Sequence, residues 1–172
     1  MSNDASIIQP FGSLVSSRLG LAEQTRHKSV GALNRLLAHT MALRDLYKKC
    51  HWQTSGPTFY ELHLLFDKVA EETDEYVDLI AERIVQLGGF AEGTLAVAAK
   101  RTSLKEYPLS LISGREHADY LSKAIAAAGK QVRAAIDSTA EIGDTGTADV
   151  LTEISRGLDK SLWMVESHLQ EK

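Results

Sequence analysis

The sequence predicts an all-α fold, a bundle of four long helices with one extended crossover between the second and the third. Three observations carry that reading. Apolar residues recur at intervals of three and four through four long runs. No segment alternates with the two-residue period of a strand. None of the three prolines, Pro10, Pro57 and Pro108, interrupts those runs. The first run, roughly Ala22 to His51, sets Val30, Leu33, Leu37, Leu43 and Leu46 on one stripe. The second starts at Pro57, a residue suited to a first helical turn, and continues to Leu87, where Gly88-Gly89 stops it. Its stripe is Leu62, Phe66, Val69, Tyr76, Ile80, Ile84 and Leu87. The third, from about Ser113 to Glu141, carries His117, Leu121, Ile125, Ala128, Val132 and Ile136. Asp144 or Thr145 caps the fourth, whose stripe is Leu151, Ile154, Leu158, Leu162, Val165 and Leu169. Met41, Tyr47 and Trp163 sit in these stripes and are expected in the core.

Connection lengths choose the topology. The links at Trp52 to Gly56 and near Gly143 are short and make antiparallel neighbours. The middle link, Gly88 to Ile112, has 25 residues, enough to run back along a ~45 Å helix and leave the second and third long helices parallel. Thr94 to Arg101 reads as a short helix within it. Residues 1–21 form an N-terminal tail, docked or mobile, and 22–170 the bundle.

Composition narrows the function. A chain of 172 residues can bury one real core, and 44% hydrophobic with 24% charged residues excludes a disordered or collagen-like polymer. A net charge of −4 offers no general basic surface to nucleic acid. The lone Cys50 excludes an intrachain disulfide framework and fits a reducing compartment. The opening MSNDASIIQPFGS has neither the basic nor the apolar region of a secretory signal, and a cytoplasmic protein is expected.

The second helix carries the chemistry. At about 100° per residue, with His63 at zero, Asp67, Glu71, Asp74, Asp78 and Glu82 fall between about 20° and 100°, away from the apolar stripe near −95°. A solvated acidic face is the plain reading. Against it, only Lys68 and Arg83 lie in this helix as basic partners, and five like charges repel unless a cation sits among them. His63 with Asp67, and Asp78 with Glu82, are i,i+4 pairs whose centres lie ~22 Å apart along one helix, too far for one ion. Both His63/Glu82 and Asp67/Asp78 are symmetric about the point between Glu72 and Thr73. Two copies crossing antiparallel about that point bring one pair of each chain against the other pair of its twin, making two identical sites. Nitrogen and carboxylate ligands favour iron or manganese. Glu71 and Asp74 meet near the same dyad, where they repel unless they diverge or bind metal. His51, ending the first helix beside the short turn, can reach His63. Trp52 after it is an interface aromatic or an electron donor to a redox metal. Bundle-interior di-iron sites use Glu-x-x-His motifs, and this sequence has none.

His51-Trp52, Gly56-Pro57, His63, Phe66-Asp67, Asp78, Ala81-Glu82-Arg83, Leu87-Gly88-Gly89 and Tyr107-Pro108 together resemble the Dps family, the miniferritins of the ferritin-like superfamily. Leu158-Asp159-Lys160 and Leu162-Trp163 extend the resemblance, which covers about residues 25 to 170. It implies a hollow homo-dodecamer built from twofold dimers, with Fe²⁺ oxidised at intersubunit centres, by hydrogen peroxide in preference, and a ferric mineral (Fe³⁺) stored inside. It implies ligands His51, His63 and Asp67 from one subunit and Asp78 and Glu82 from its neighbour. It also implies an acidic threefold pore, to which Asp144 and Asp149 correspond, with Gly146 where some members carry another acid. Many members bind DNA through Lys-rich tails. Residues 1–24 hold only Arg18 as a basic residue, against Asp4 and Glu23, and the chain ends Glu171-Lys172, so tail-mediated DNA binding is not expected. His27, His39, His117 and His168 are read as structural or surface groups, Cys50 as a buried thiol, and Glu153 as either solvated or facing a mineral cavity.

Overall fold

The computed structural model describes residues 8–170; Asp4 of the tail and the terminal Glu171-Lys172 pair lie outside the described residues. Five helices follow in order: α1 (Glu23–Gln53), α2 (Phe59–Gln86), α3 (Leu95–Arg101), α4 (Gly114–Glu141) and α5 (Thr145–Ser167). Among the described residues there is no strand, only an isolated bridge between Ser55 and Ser113. The fold is the ferritin-like four-helix bundle with one long crossover. The pairs α1/α2 and α4/α5 pack most extensively, while α1 also meets α4 and α2 meets α5. The parallel helices α2 and α4 therefore stand on opposite corners. The bridge fixes this arrangement: Gly114 N–H donates to the Ser55 carbonyl (3.0 Å), tying the start of α4 to the α1–α2 turn. At the other end Thr25 Oγ1 donates to the Ile142 carbonyl in the α4–α5 turn (3.2 Å).

The apolar stripes close on one core. Leu33, Leu37 and Leu43 of α1, Leu62, Phe66, Val69, Ile80 and Ile84 of α2, Leu121 and Ile125 of α4, and Leu151 and Ile154 of α5 are buried, each side chain stabilising the fold by about 1.5–3 kcal/mol through transfer from water. Met41 and Tyr47 join them. Trp163 does not: it is 67% exposed, because it stands one residue past Leu162, about 100° round the helix from the core stripe. The start of α2 also differs from the sequence reading. Gly56, at φ +105°, Pro57 and Thr58 form a turn in which Phe59 N–H donates to the Gly56 carbonyl (3.0 Å), so the helix begins two residues after the proline.

Helix ends are satisfied locally. Ser113 and Glu116 form a reciprocal capping box at α4, and Asp144 caps α5 by accepting from Thr147 N–H. At the end of α2, Gly88 N–H donates to the Val85 carbonyl (2.8 Å) and Gly89 N–H to that of Ile84 (3.0 Å), a Schellman motif. Gly88 sits at φ +86°, and a Cβ there would lie 2.7 Å from the Val15 carbonyl oxygen. That closeness records where residues 8–21 run. Val15 N–H donates to the Gly88 carbonyl (2.9 Å), Gln9 Nε2 donates to the same oxygen (2.9 Å), and Phe11 stacks at a tilt on Phe90. Buried Arg26 donates from Nη1 to the carbonyls of Val15 and Leu87, both at 2.9 Å. Among the described residues no helix is long and apolar enough to cross a membrane.

Candidate metal centre

His51 ends α1 and His63 lies one turn into α2, so the short link brings their rings together. The rings stack with centroids 3.7 Å apart and an interplanar angle of 21°. Their hydrogen bonds are reciprocal: His51 Nδ1 lies 2.8 Å from the His63 carbonyl oxygen, and His63 Nδ1 lies 2.9 Å from that of His51. The geometry has a simple cause. The last carbonyls of a helix lack intrahelical partners, and His51 O takes one from the opposite ring. His63 O uses the second lone pair left over from its helical bond. A carbonyl only accepts, so each Nδ1 carries its proton toward a carbonyl and each Nε2 keeps the lone pair. This is the tautomer a metal-ligating histidine needs, with orientation held by the backbone.

Asp67, one turn after His63, has Oδ1 3.9 Å from His51 Nδ1 and accepts a short hydrogen bond from Lys48 Nζ of α1. The Lys48 ammonium holds the Asp67 carboxyl below the usual carboxylate range, with smaller help from the two imidazoles. Its side chain is 34% exposed, so the group remains open to solvent. Phe59 packs on His63 at 5.2 Å, and Trp52, which follows His51 in the chain, is 72% exposed.

Asp78 and Glu82 are exposed on the same helix, their centre about 22 Å from that of His63/Asp67 at 1.5 Å per residue. Among the described residues neither takes part in an ion pair, and no three of His, Cys, Asp and Glu gather closely enough within one chain to hold a metal ion. The chain thus stacks His51 on His63 with Asp67 3.9 Å from His51, short of a closed three-ligand site, and leaves Asp78 and Glu82 apart from them.

Part of the acidic stripe is less bare than its own helix implies. Arg44 of α1 donates to Asp74 (2.7 Å), Lys48 engages Asp67, and Lys68 lies 3.4 Å from Glu72. Arg44 and Lys48 come from the neighbouring helix, which a count along α2 alone misses. Asp74 is thereby drawn to α1, while Glu71 is exposed.

Asp144 is held by contacts within the chain. It is 1% exposed, caps α5, accepts from Thr147 Oγ1 (2.6 Å), and pairs with Arg83 Nη2 (2.9 Å). Asp149 and Glu153 are exposed. His39 is buried between the Arg35 carbonyl and Ser103, His117 is buried against Tyr107, His27 is exposed and His168 half-buried. Cys50 is a buried free thiol whose pKa burial pushes up to about 12.

With this geometry in hand, known proteins can be set beside the chain. The ferritin-like domain family matches residues 30–172. The chain is 41% identical to a DNA protection during starvation protein of Agrobacterium fabrum over 152 residues, 88% of this chain and 94% of that protein. Among solved structures, DpsC from Streptomyces coelicolor superimposes with a TM-score of 0.91 at 38% identity, covering 96% of this chain and 97% of its own. A Dps protein from Vibrio cholerae, described as a member of a broad superfamily of ferritin-like diiron-carboxylate proteins, gives 0.84 at 26% identity, covering 94% and 99%.

Proposed function

The chain belongs to the Dps family of ferritin-like proteins, and from that premise we propose that it is an iron-oxidising and iron-storing miniferritin whose metal centres are completed between two copies. The observation that carries this reading is the reciprocal bonding of His51 and His63, which leaves two Nε2 atoms as ready donors, with an Asp67 carboxylate oxygen 3.9 Å from His51 Nδ1. Asp78 and Glu82 of a second copy complete each centre, in accord with the symmetric spacing about residues 72 and 73. The substrate is Fe²⁺ and the preferred oxidant hydrogen peroxide. Each peroxide takes one electron from each of two Fe²⁺ ions and, with two protons, leaves as two waters, so no hydroxyl radical is released. The carboxylates hold the hard Fe³⁺ product and the imidazoles suit Fe²⁺. The product accumulates as ferric mineral within a hollow dodecamer in the cytoplasm, and the benefit is protection from oxidative damage. Trp52 stands ready to give up an electron when the chemistry misfires.

The test is anaerobic addition of Fe²⁺ followed by peroxide, with ferric absorbance followed in time. Wild-type protein is expected to oxidise Fe²⁺ much faster than buffer. Replacing both His63 and Asp67 by alanine is expected to abolish the fast phase while size-exclusion chromatography shows the assembly intact. Absence of acceleration in the wild type overturns the function, and a fast phase surviving in the variant overturns the ligand assignment.

A further inference from the structure

The crossover returns Tyr107 to the end of α1 and buries it against α4. Its hydroxyl lies 2.6 Å from His117 Nδ1 in a buried contact, with the two rings nearly parallel at 9°. The Cys50 thiol borders the same hydroxyl. The Lys49 ammonium sits 5.5 Å from the Tyr107 ring centre, and Tyr120 packs edge-on at 5.0 Å. A phenol buried only for packing is served by any carbonyl oxygen. Here the partner is an imidazole nitrogen, a base that in its unprotonated tautomer can take the proton outright. Burial raises both the phenol and the thiol and lowers the imidazole, so the resting trio is neutral and His117 is free to accept.

We propose that Tyr107 and His117 form a proton-coupled redox pair that refills oxidised side chains near the metal centre. The oxidant is the hydroxyl radical formed when Fe²⁺ reduces peroxide by a single electron. It takes an electron from an exposed indole such as Trp52 and leaves as hydroxide. Tyr107 returns an electron to the indole radical cation, and its Oη proton crosses to His117 Nδ1. A neutral phenoxyl and an imidazolium result. A further Fe²⁺ supplies the electron that restores the phenol, becoming Fe³⁺, and the proton goes back to Oη. The Lys49 cation makes the ring harder to oxidise, which reserves the pair for strong oxidants and keeps it silent toward Fe³⁺. The source of radicals rests on the proposed iron chemistry; the redox competence of the pair does not.

Iron-free assembled protein, oxidised by a flash-generated ruthenium(III) tris-bipyridine and freeze-quenched, separates the two. A tyrosyl radical is expected by electron paramagnetic resonance, forming about twofold slower in D₂O. Tyr107→Phe is expected to lower its yield at least fivefold. His117→Asn, which keeps an acceptor but cannot take the proton, is expected to lower it comparably, with folding checked by circular dichroism. A yield unchanged in either variant overturns the pair. Under Fe²⁺ and excess peroxide, Tyr107→Phe is expected to oxidise iron at the wild-type rate yet accumulate several-fold more oxidised Trp52 by mass spectrometry; equal Trp52 damage also overturns the proposal. A wild type that forms the radical but oxidises no iron refutes the iron chemistry alone.

Discussion

Arg83→Met tests the buried ion pair that joins the end of α2 to the start of α5. Arg83 donates from Nη2 to Asp144 (2.9 Å) and from Nε to Thr147 Oγ1 (2.9 Å), and its side chain is 12% exposed against 1% for Asp144. Removing one partner of a buried pair costs about 3–5 kcal/mol, because the remaining charge stays desolvated. Asp144 keeps its two bonds from Thr147, which places the expected loss near ~3 kcal/mol. At ~2–4 °C per kcal/mol for a chain of this size, the melting temperature should fall by about 6–12 °C. Adding Asp144→Asn to the variant removes the orphaned charge and keeps a good cap, so the double variant should regain most of that loss. Burial alone raises the Asp144 carboxyl, but the Ser29 hydroxyl, the Thr147 bonds and, less strongly, the Arg83 charge bring it below its ordinary value. Its stabilisation is therefore present above the unfolded pKa of about 3.9 and is lost as pH falls through the lower folded value. Wild type should lose stability more steeply than Arg83→Met below about pH 4. The assay is thermal unfolding by circular dichroism from pH 3 to 7 for the four members of the cycle. A shift under 1 °C in Arg83→Met, or no coupling between the two sites, refutes the reasoning.

Three other outcomes are expected. Lys48→Met frees Asp67 from an ammonium that Fe²⁺ must displace, and a half-exposed pair worth about 0.5–1 kcal/mol converts to roughly two- to fivefold tighter Fe²⁺ binding by anaerobic titration calorimetry. Unchanged affinity removes Asp67 from the ligand set. Gly157→Ala puts a Cβ 1.9 Å from Tyr76 Oη and 2.6 Å from its Cζ, so overpacking of about 1–3 kcal/mol should exceed the ~1 kcal/mol gained in helix propensity. Adding Tyr76→Phe should restore only part of the melting temperature, since the ring carbon still clashes. Plasmid DNA should migrate unretarded at low salt, because the described tail residues 8–21 contain one basic side chain, Arg18; retardation would revive DNA compaction as a function.

Much of the bundle is legible because helical period and burial are the same physics. The stripe from Leu62 to Leu87 is buried almost throughout, with Tyr76 half-buried, and Thr94 caps the short crossover helix. Start points are less legible: Pro57 favours a first turn, yet Gly56 with its positive φ commits it to a turn before the helix. Trp163 is misread because a periodic window tolerates a neighbour one residue off the stripe. At the site, the nearness of His51 to His63 follows from a short link. The cross-helix cations do not, since Arg44 and Lys48 reach the acidic stripe through the register of α1 on α2, which no spacing within one helix encodes. Asp144 is the same lesson at longer range: its partner is 61 residues away. Tyr107 and His117 were each visible as residues, but their meeting depends on where the crossover lands.

Because each imidazole of the α1–α2 hairpin is hooked to the other's main chain, neither can swing aside without giving up that hook and its stacking on its mate. The two rings behave as one rigid claw, held by contacts that lie within the hairpin. A designer wishing to transplant this nitrogen pair would need to graft a turn and two helix ends, and could leave the remainder of the molecule behind.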